Sequence, residues 1–216
     1  MTDRLIQHID QEIERRSLLK HPFYRMWSNG ELTVAQIAGY SKEYFQLVKR
    51  VPTLVENIQS MTRENRTRDE IQENLDEEKS HIEPWIRFAT SLGVARTTLE
   101  EYAGSSTTNT AVSQLDQISR SSFEQSVAAM YAYEMELPKI SRSKIDGLEK
   151  FYGMTSQDAT EYFKIHEVAD IKHAALWRRI LSKTSKEDEE LLASAAVRSL
   201  EAQNKLLDSV MEKYCE

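Results

Sequence analysis

Residues 162–177 read YFKIHEVADIKHAALW, and this stretch decides how the chain is built. His166, Asp170 and His173 stand at i, i+4 and i+7, which at roughly 100° per residue puts all three within about 60° of one another on a helix. Tyr162 and Trp177 extend the same stripe in both directions. A stripe at this spacing faces a core. Two imidazoles and a carboxylate on a core-facing stripe are costly to desolvate unless something satisfies them. A metal ion does so directly, since imidazole nitrogen and carboxylate oxygen suit iron, manganese or zinc. A buried His–Asp–His hydrogen-bond ladder is the other reading, and the choice depends on what the remaining helices supply.

Two other helical patterns supply matching groups. In NLDEEKSHIEPW, residues 74–85, Glu78 falls in the middle of the apolar stripe between Leu75 and Ile82. Glu78 and His81 then form a Glu-x-x-His pair at i, i+3, a spacing used in di-metal helical bundles. Glu77, at i, i+4 to His81, stays open as the alternative. In SVAAMYAYEMELP, residues 126–138, Val127, Met130, Tyr131 and Glu134 share a face, and no basic residue at i±3 or i±4 pairs Glu134. A buried unpaired carboxylate protonates, finds a distant partner or binds a cation. Taken together, Glu78, His81, Glu134, His166, Asp170 and His173 make three carboxylates and three imidazoles. A donor set of oxygen and nitrogen without thiolate suits a two-metal iron or manganese site.

The rest of the chain frames that site. Its 216 residues are 40% hydrophobic and 29% charged, enough for one sizeable core, read as a single helical domain over 1–216. A net charge of −7 without a long basic run argues against a nucleic-acid surface. No apolar run approaches the roughly 20 residues that span a bilayer, and the N-terminus lacks a signal-peptide core, so a cytoplasmic protein is expected. The single cysteine, Cys215, excludes an intrachain disulfide and cysteine-held clusters. With 6 Gly and 4 Pro, an all-α bundle of seven or eight helices is expected. Leu5, Ile9 and Ile13 mark a first helix over 2–19. A T-x-x-Q capping box at Thr33–Gln36 opens a helix that Pro52 kinks. Further helices are predicted over 68–92, 97–102, 109–136 and 138–152. Thr155 and Ser156 cap the central helix, and a last helix runs over 185–214 with Leu191, Ala195, Leu206 and Val210 inward. GSSTTNT, residues 104–110, reads as loop.

The segments HPFYRMWSNGELT, ENLDEE with HIEPW, YAYEMELPKISRSKI and FKIHEVADIKHA resemble the heme-oxygenase-like di-metal oxidases. The resemblance is nearest to the CADD family (Chlamydia protein associating with death domains) and covers nearly the whole chain. It implies a seven-helix heme-oxygenase-like bundle with two metals, Fe/Fe or Mn/Fe, at its centre and no heme. It also implies oxygen-dependent synthesis of para-aminobenzoate for folate biosynthesis, with an external reductant, in which the protein consumes its own side chains. On that reading Tyr24 supplies the ring and Lys144 the amino group, while Tyr40, Tyr133 and Tyr162 line the site or carry a radical. Without it, Tyr24, Tyr40, Tyr44 and Tyr133 read as core aromatics and Lys144 as a surface lysine. One departure stands out: only Lys79 and Ser80 separate the DEE run from His81, where the chlamydial pattern has several more residues. Oxidation of an external small molecule and a helical protein-interaction module are the competing functions, and the long last helix offers a surface for a homodimer.

Overall fold

The computed structural model describes residues 2–183 and 189–215. Within them the chain forms eleven α-helices and one short 3-10 turn. They are α1 (Thr2–Arg15), the 3-10 turn (Leu18–Lys20), α2 (Pro22–Asn29), α3 (Val34–Val48), α4 (Val51–Met61) and α5 (Asn65–Ser91). After these come α6 (Arg96–Glu101), α7 (Ser106–Ser119), α8 (Phe123–Glu134), α9 (Leu137–Phe151), α10 (Gln157–Leu181) and α11 (Glu189–Tyr214). The all-α bundle expected from the sequence is what forms. The segments outnumber the predicted helices because long rods are broken into collinear or bent pieces.

Each break has a local cause. Proline cannot donate to the helical ladder, so Pro52 and Pro138 sit in the first turns of α4 and α9, and the preceding rods stop just upstream. The Thr33 box closes in both directions: the Thr33 N–H donates to Gln36 Oε1 at 2.8 Å, and the Gln36 N–H donates to Thr33 Oγ1 at 3.2 Å. Ser156 alone caps α10, accepting from the Ala159 N–H at 3.3 Å. The helix predicted over 109–136 is two, because Ser122 accepts from the Gln125 N–H and starts α8 afresh. GSSTTNT is mostly helix rather than loop. Ser105 caps α7, and the buried Glu43 carboxylate accepts from the Ser105 N–H at 2.9 Å and the Thr108 hydroxyl at 2.7 Å. That tertiary anchor overrides a weak local preference. The start predicted for the last helix at Ser185 lies outside the described residues. Leu191 is 52% exposed, and its neighbour Leu192 faces the core instead.

α10 occupies the middle of the bundle, packed against α5, α8 and α9, while α11 lies over α7 and α8 and reaches α1 and α3. One apolar cluster draws on nearly every helix, with Trp27, Trp85 and Trp177 among its largest fully buried side chains. α2 is seated on α9 through a close contact. Trp27 lies flat on Gly147, where a Cβ would come within 2.6 Å of the indole Cδ1, and the Trp27 Nε1–H donates to the Lys144 carbonyl at 3.2 Å. This contact brings Tyr24 on α2 beside Lys144 on α9. Gly147→Ala is therefore expected to destabilise the fold by about 1–3 kcal/mol, the usual cost of overpacking a closed contact. Urea unfolding of the variant beside the parent measures it.

Candidate metal centre

Three helices converge at the middle of the bundle. α10 presents His166, Asp170 and His173, α5 presents Glu78 and His81, and α8 presents Glu134. All six are at most 6% exposed. Their potential donor atoms group into two triads, Glu78–His81–His166 and Glu78–Glu134–His173, each with all atoms within 4.8 Å of one another. Glu78 belongs to both, so its carboxylate lies between two clusters. Asp170 adds a carboxylate oxygen 3.5 Å from His173 Nδ1. Glu77, the alternative left open by the sequence, is 38% exposed and bridges Lys172, at 2.9 Å, and His173 Nε2, at 2.7 Å.

Neighbouring groups fix how the imidazoles face. His166 Nδ1 lies 2.8 Å from the Tyr162 carbonyl, which accepts a proton from it and leaves Nε2 as the bare nitrogen. His173 Nε2 lies 2.7 Å from Glu77 Oε2, which turns Nδ1 toward the cluster, 3.4 Å from Glu78 Oε1. Both arrangements orient an imidazole by hydrogen-bonding its far nitrogen, as metal-binding histidines are commonly held. Trp177 Nε1–H donates to Glu134 Oε2 at 2.6 Å. The second oxygen of Glu134, both oxygens of Asp170, and Nδ1 of His81 and His173 are buried with no hydrogen-bond partner among the described residues. Such atoms are expensive to leave unmade. Five such atoms, all nitrogen or carboxylate oxygen and all on the six clustered residues, fit metal binding.

The electrostatics agree. Burial raises the Glu134 carboxyl well above its ordinary range, and Asp170 is raised by the same cause. Glu78 is held low despite burial because His173 and His81 face it. Burial opposes a charge on His173, yet Asp170 and Glu78, with Glu134 nearby, push it up to about 11. The protein alone answers its crowded carboxylates with a proton on His173, in the position a cation would take.

A second chamber adjoins this one. The Lys144 amine, 4% exposed, donates to the Tyr40 hydroxyl at 2.5 Å, and the Tyr24 and Tyr40 hydroxyls lie 3.4 Å apart. The amine also lies 4.8–5.1 Å from the ring centres of Tyr24, Tyr40, Tyr44 and Phe163. Burial in this aromatic enclosure lowers the lysine well below its ordinary value. Lys144 is therefore a core residue, and the surface position that spacing alone suggests is not where it sits. Tyr44 and Trp85, which the sequence reading left as packing, link the chambers. Ring centres run from Tyr40 to Tyr44 at 5.2 Å, to Trp85 at 5.2 Å, to Tyr162 at 4.6 Å and to His166 at 4.1 Å. Tyr133 partners the Tyr44 hydroxyl from α8. The sequence carried a signal for both links, since Tyr44 follows Tyr40, and Trp85 follows His81, by one helical turn.

Residues 38–204 match the profile of a family described as iron-containing redox enzymes. The chain belongs to that family. Over 99% of its length it is 36% identical to a 4-aminobenzoate synthase of Nitrosomonas europaea, of which 94% is covered. It is 30% identical to the 4-aminobenzoate synthase of Chlamydia muridarum over 96% of this chain and 90% of that one. A pyrroloquinoline-quinone synthase of Klebsiella pneumoniae is 26% identical over 90% of this chain and 76% of its own. Among solved structures, a CADD-like protein of unknown function from Nostoc punctiforme superposes with a TM-score of 0.81 at 20% identity, covering 100% of this chain and 99% of that one. A TenA homologue from Pseudomonas syringae gives 0.82 at 17% identity, with 97% and 92% covered. These two establish the shared fold.

The buried lysine has a measurable cost. Its folded value lies well below the ordinary 10.5, so between the two values folding requires losing a proton the unfolded chain keeps. That cost falls by about 1.4 kcal/mol for each pH unit between the folded and ordinary values. Lys144→Met is thus expected to melt higher than the parent at pH 7, with the advantage narrowing toward pH 10. Calorimetry across that range checks it, and an advantage constant with pH would contradict the reading.

Proposed function

We propose that this protein is a di-metal oxidase that makes 4-aminobenzoate from its own Tyr24, with the amino group taken from Lys144. The observation that carries the proposal is Lys144. A lysine amine, fully enclosed and without a carboxylate partner among the described residues, donates to the Tyr40 hydroxyl and lies over the Tyr24 ring, beside a cluster of metal-type donors. Near full-length similarity to two 4-aminobenzoate synthases supports the same product. Glu78, His81, Glu134, His166, Asp170 and His173 would hold the metals, two irons or a manganese–iron pair; Glu78 is common to both donor triads. When bound, the metals would supply oxidising power from dioxygen and an external reductant.

The side chains divide the remaining work. Glu77 and the Tyr162 carbonyl hold His173 and His166 with their other ring nitrogens inward. Trp177 fixes one oxygen of Glu134 and leaves the other free. Tyr162, Trp85, Tyr44 and Tyr40 offer a contiguous series of rings along which an electron would leave Tyr24, and Tyr133 steadies Tyr44. Burial keeps the tyrosines protonated, so removing an electron from Tyr24 also requires moving its proton, and the Tyr40 hydroxyl is the neighbour placed to take part. Neutral Lys144 carries a lone pair, which a charged ammonium lacks, and so is able to act as the nitrogen nucleophile. The Tyr24 ring and its Cβ would become the product. Cβ would part from Cα and be oxidised to the carboxylate. The Lys144 nitrogen would replace the phenol oxygen, which leaves as water, and the Lys144 Nζ–Cε bond would break. Dioxygen would be the electron acceptor, with the external reductant supplying the balance of electrons. Phe23, Trp27 and Phe163 pack around the chamber and exclude water. The whole chain acts as one domain and works in the cytoplasm; among the described residues no helix is long and apolar enough to cross a membrane.

The test is a single-turnover assay. Protein loaded with ferrous iron, or with manganese and iron, is given reductant and air, and 4-aminobenzoate is counted by mass spectrometry. At most one product per chain is expected, none from Tyr24→Phe, and a mass loss at residue 24 in the spent protein. Oxygen consumption without product in the fully metallated protein would instead indicate an external substrate. Asp170→Ala is expected to lose bound metal and oxygen consumption together. Glu77→Gln is expected to weaken metal binding about 10–100-fold, the usual effect of removing a histidine-orienting carboxylate, as read by chelator competition.

A further inference from the structure

A cleft of about 330 Å³ between α5 and α10 descends to two side chains that are almost wholly enclosed, His173 and Asn74, each 1% exposed. Glu70 and Glu73 from α5, and Lys172 and Arg179 from α10, line its outer part. Glu77 stands beside them, bridging the Lys172 ammonium and His173 Nε2. Asn74 lies one helical turn before Glu78, and neither its amide oxygen nor its amide nitrogen has a hydrogen-bond partner among the described residues. A carboxamide buried in that state has been desolvated without compensation. Its oxygen is a hard donor of the kind that suits manganese and ferrous iron.

We propose that this cleft is the port through which divalent metal ions reach the buried centre. The inference rests on reading that centre as a metal site. Glu73 and Glu77 attract the ion at the lip, where Lys172 is their one ion-pair partner outside His173 among the described residues. Lys172, 59% exposed and ion-paired with Glu73 at 3.6 Å and Glu77 at 2.9 Å, is the plug. An arriving dication takes over its carboxylate partners, and the ammonium swings into solvent. The Asn74 oxygen replaces one water of hydration on the way in, one turn short of Glu78. Toward α2 and α3 the rings of Tyr24, Tyr40, Tyr44 and Trp85 pack against one another, and passage between them would strip a hydrated ion without compensation.

The experiment mixes metal-free full-length protein with manganese(II) or with anaerobic iron(II) in a stopped-flow instrument. It follows indole fluorescence, then measures bound metal at equilibrium. Asn74→Leu is expected to slow uptake at least tenfold while the final stoichiometry stays at the parent value. Asn74→Asp restores the oxygen donor and is expected to match or exceed the parent rate. Lys172→Ala is expected to quicken uptake severalfold. Parent-like rates in Asn74→Leu and Lys172→Ala would overturn the port, as would loss of stoichiometry in Asn74→Leu, which would make Asn74 part of the centre itself. A parent protein that takes up no metal at all overturns the centre and the port together, so the two failures are told apart.

Discussion

Three carboxylates buried within a few ångströms of one another, in a bundle otherwise closed by apolar side chains, form the constraint on which the structure turns. Glu78, Glu134 and Asp170 come from three different helices, so the bundle has to bring like charges together as it closes. Without a cation the chain answers by raising Glu134 and Asp170 and by holding a proton on His173. Several donor atoms still have no partner among the described residues. A fold selected for stability alone would replace such a cluster with leucine and valine, which are often as stable or more so. The surrounding contacts make sense as the means of tolerating it: Trp177 on Glu134, the Tyr162 carbonyl on His166, Glu77 on His173.

The second chamber depends on the first through geometry. α10 supplies both the donor cluster and Phe163, which faces the lysine, and the ring sequence from Tyr40 to His166 crosses from α3 through α5 to α10. Moving any one of these helices by an ångström changes both sites at once. The close seat of Trp27 on Gly147 fixes α2 against α9 in the same way. Rigidity of this kind suits chemistry in which the reacting groups belong to the protein, since no binding step is available to align them.

Much of this arrangement was legible in the sequence because it follows helical periodicity. The i, i+4, i+7 spacing in α10, the Glu-x-x-His pair in α5 and the unpaired Glu134 in α8 each pointed inward on phase alone, and all six side chains are buried together. Phase also favoured Glu78 over Glu77. The breaks were harder to read. Nothing local in GSSTTNT announces that a buried glutamate about sixty residues earlier organises its first turn. The cap at Ser122 is one serine among many polar residues, so the helix through it looked continuous. Lys144 was illegible for the same reason: its helix is charged on the outside, and only the α2–α9 contact decides which lysine is enclosed. Asn74 carried no signal either, because one amide on a polar helix looks alike whether it faces solvent or a cleft.

Tyr24 is 2% exposed and in contact with Phe23, Tyr40 and the Lys144 amine. A chain that gives up this side chain keeps its backbone and loses a keystone. Removing a large buried aromatic typically costs about 3–5 kcal/mol, a large share of the roughly 5–15 kcal/mol that holds an ordinary domain together. On the proposed self-consuming route the spent molecule would be a core-truncated form of its own parent, one that opens more often and meets cellular proteases more readily. Location alone would then tie a molecule's lifetime to its history: the intact chain would persist, and the used one would be cleared, returning its remaining residues to the amino-acid pool.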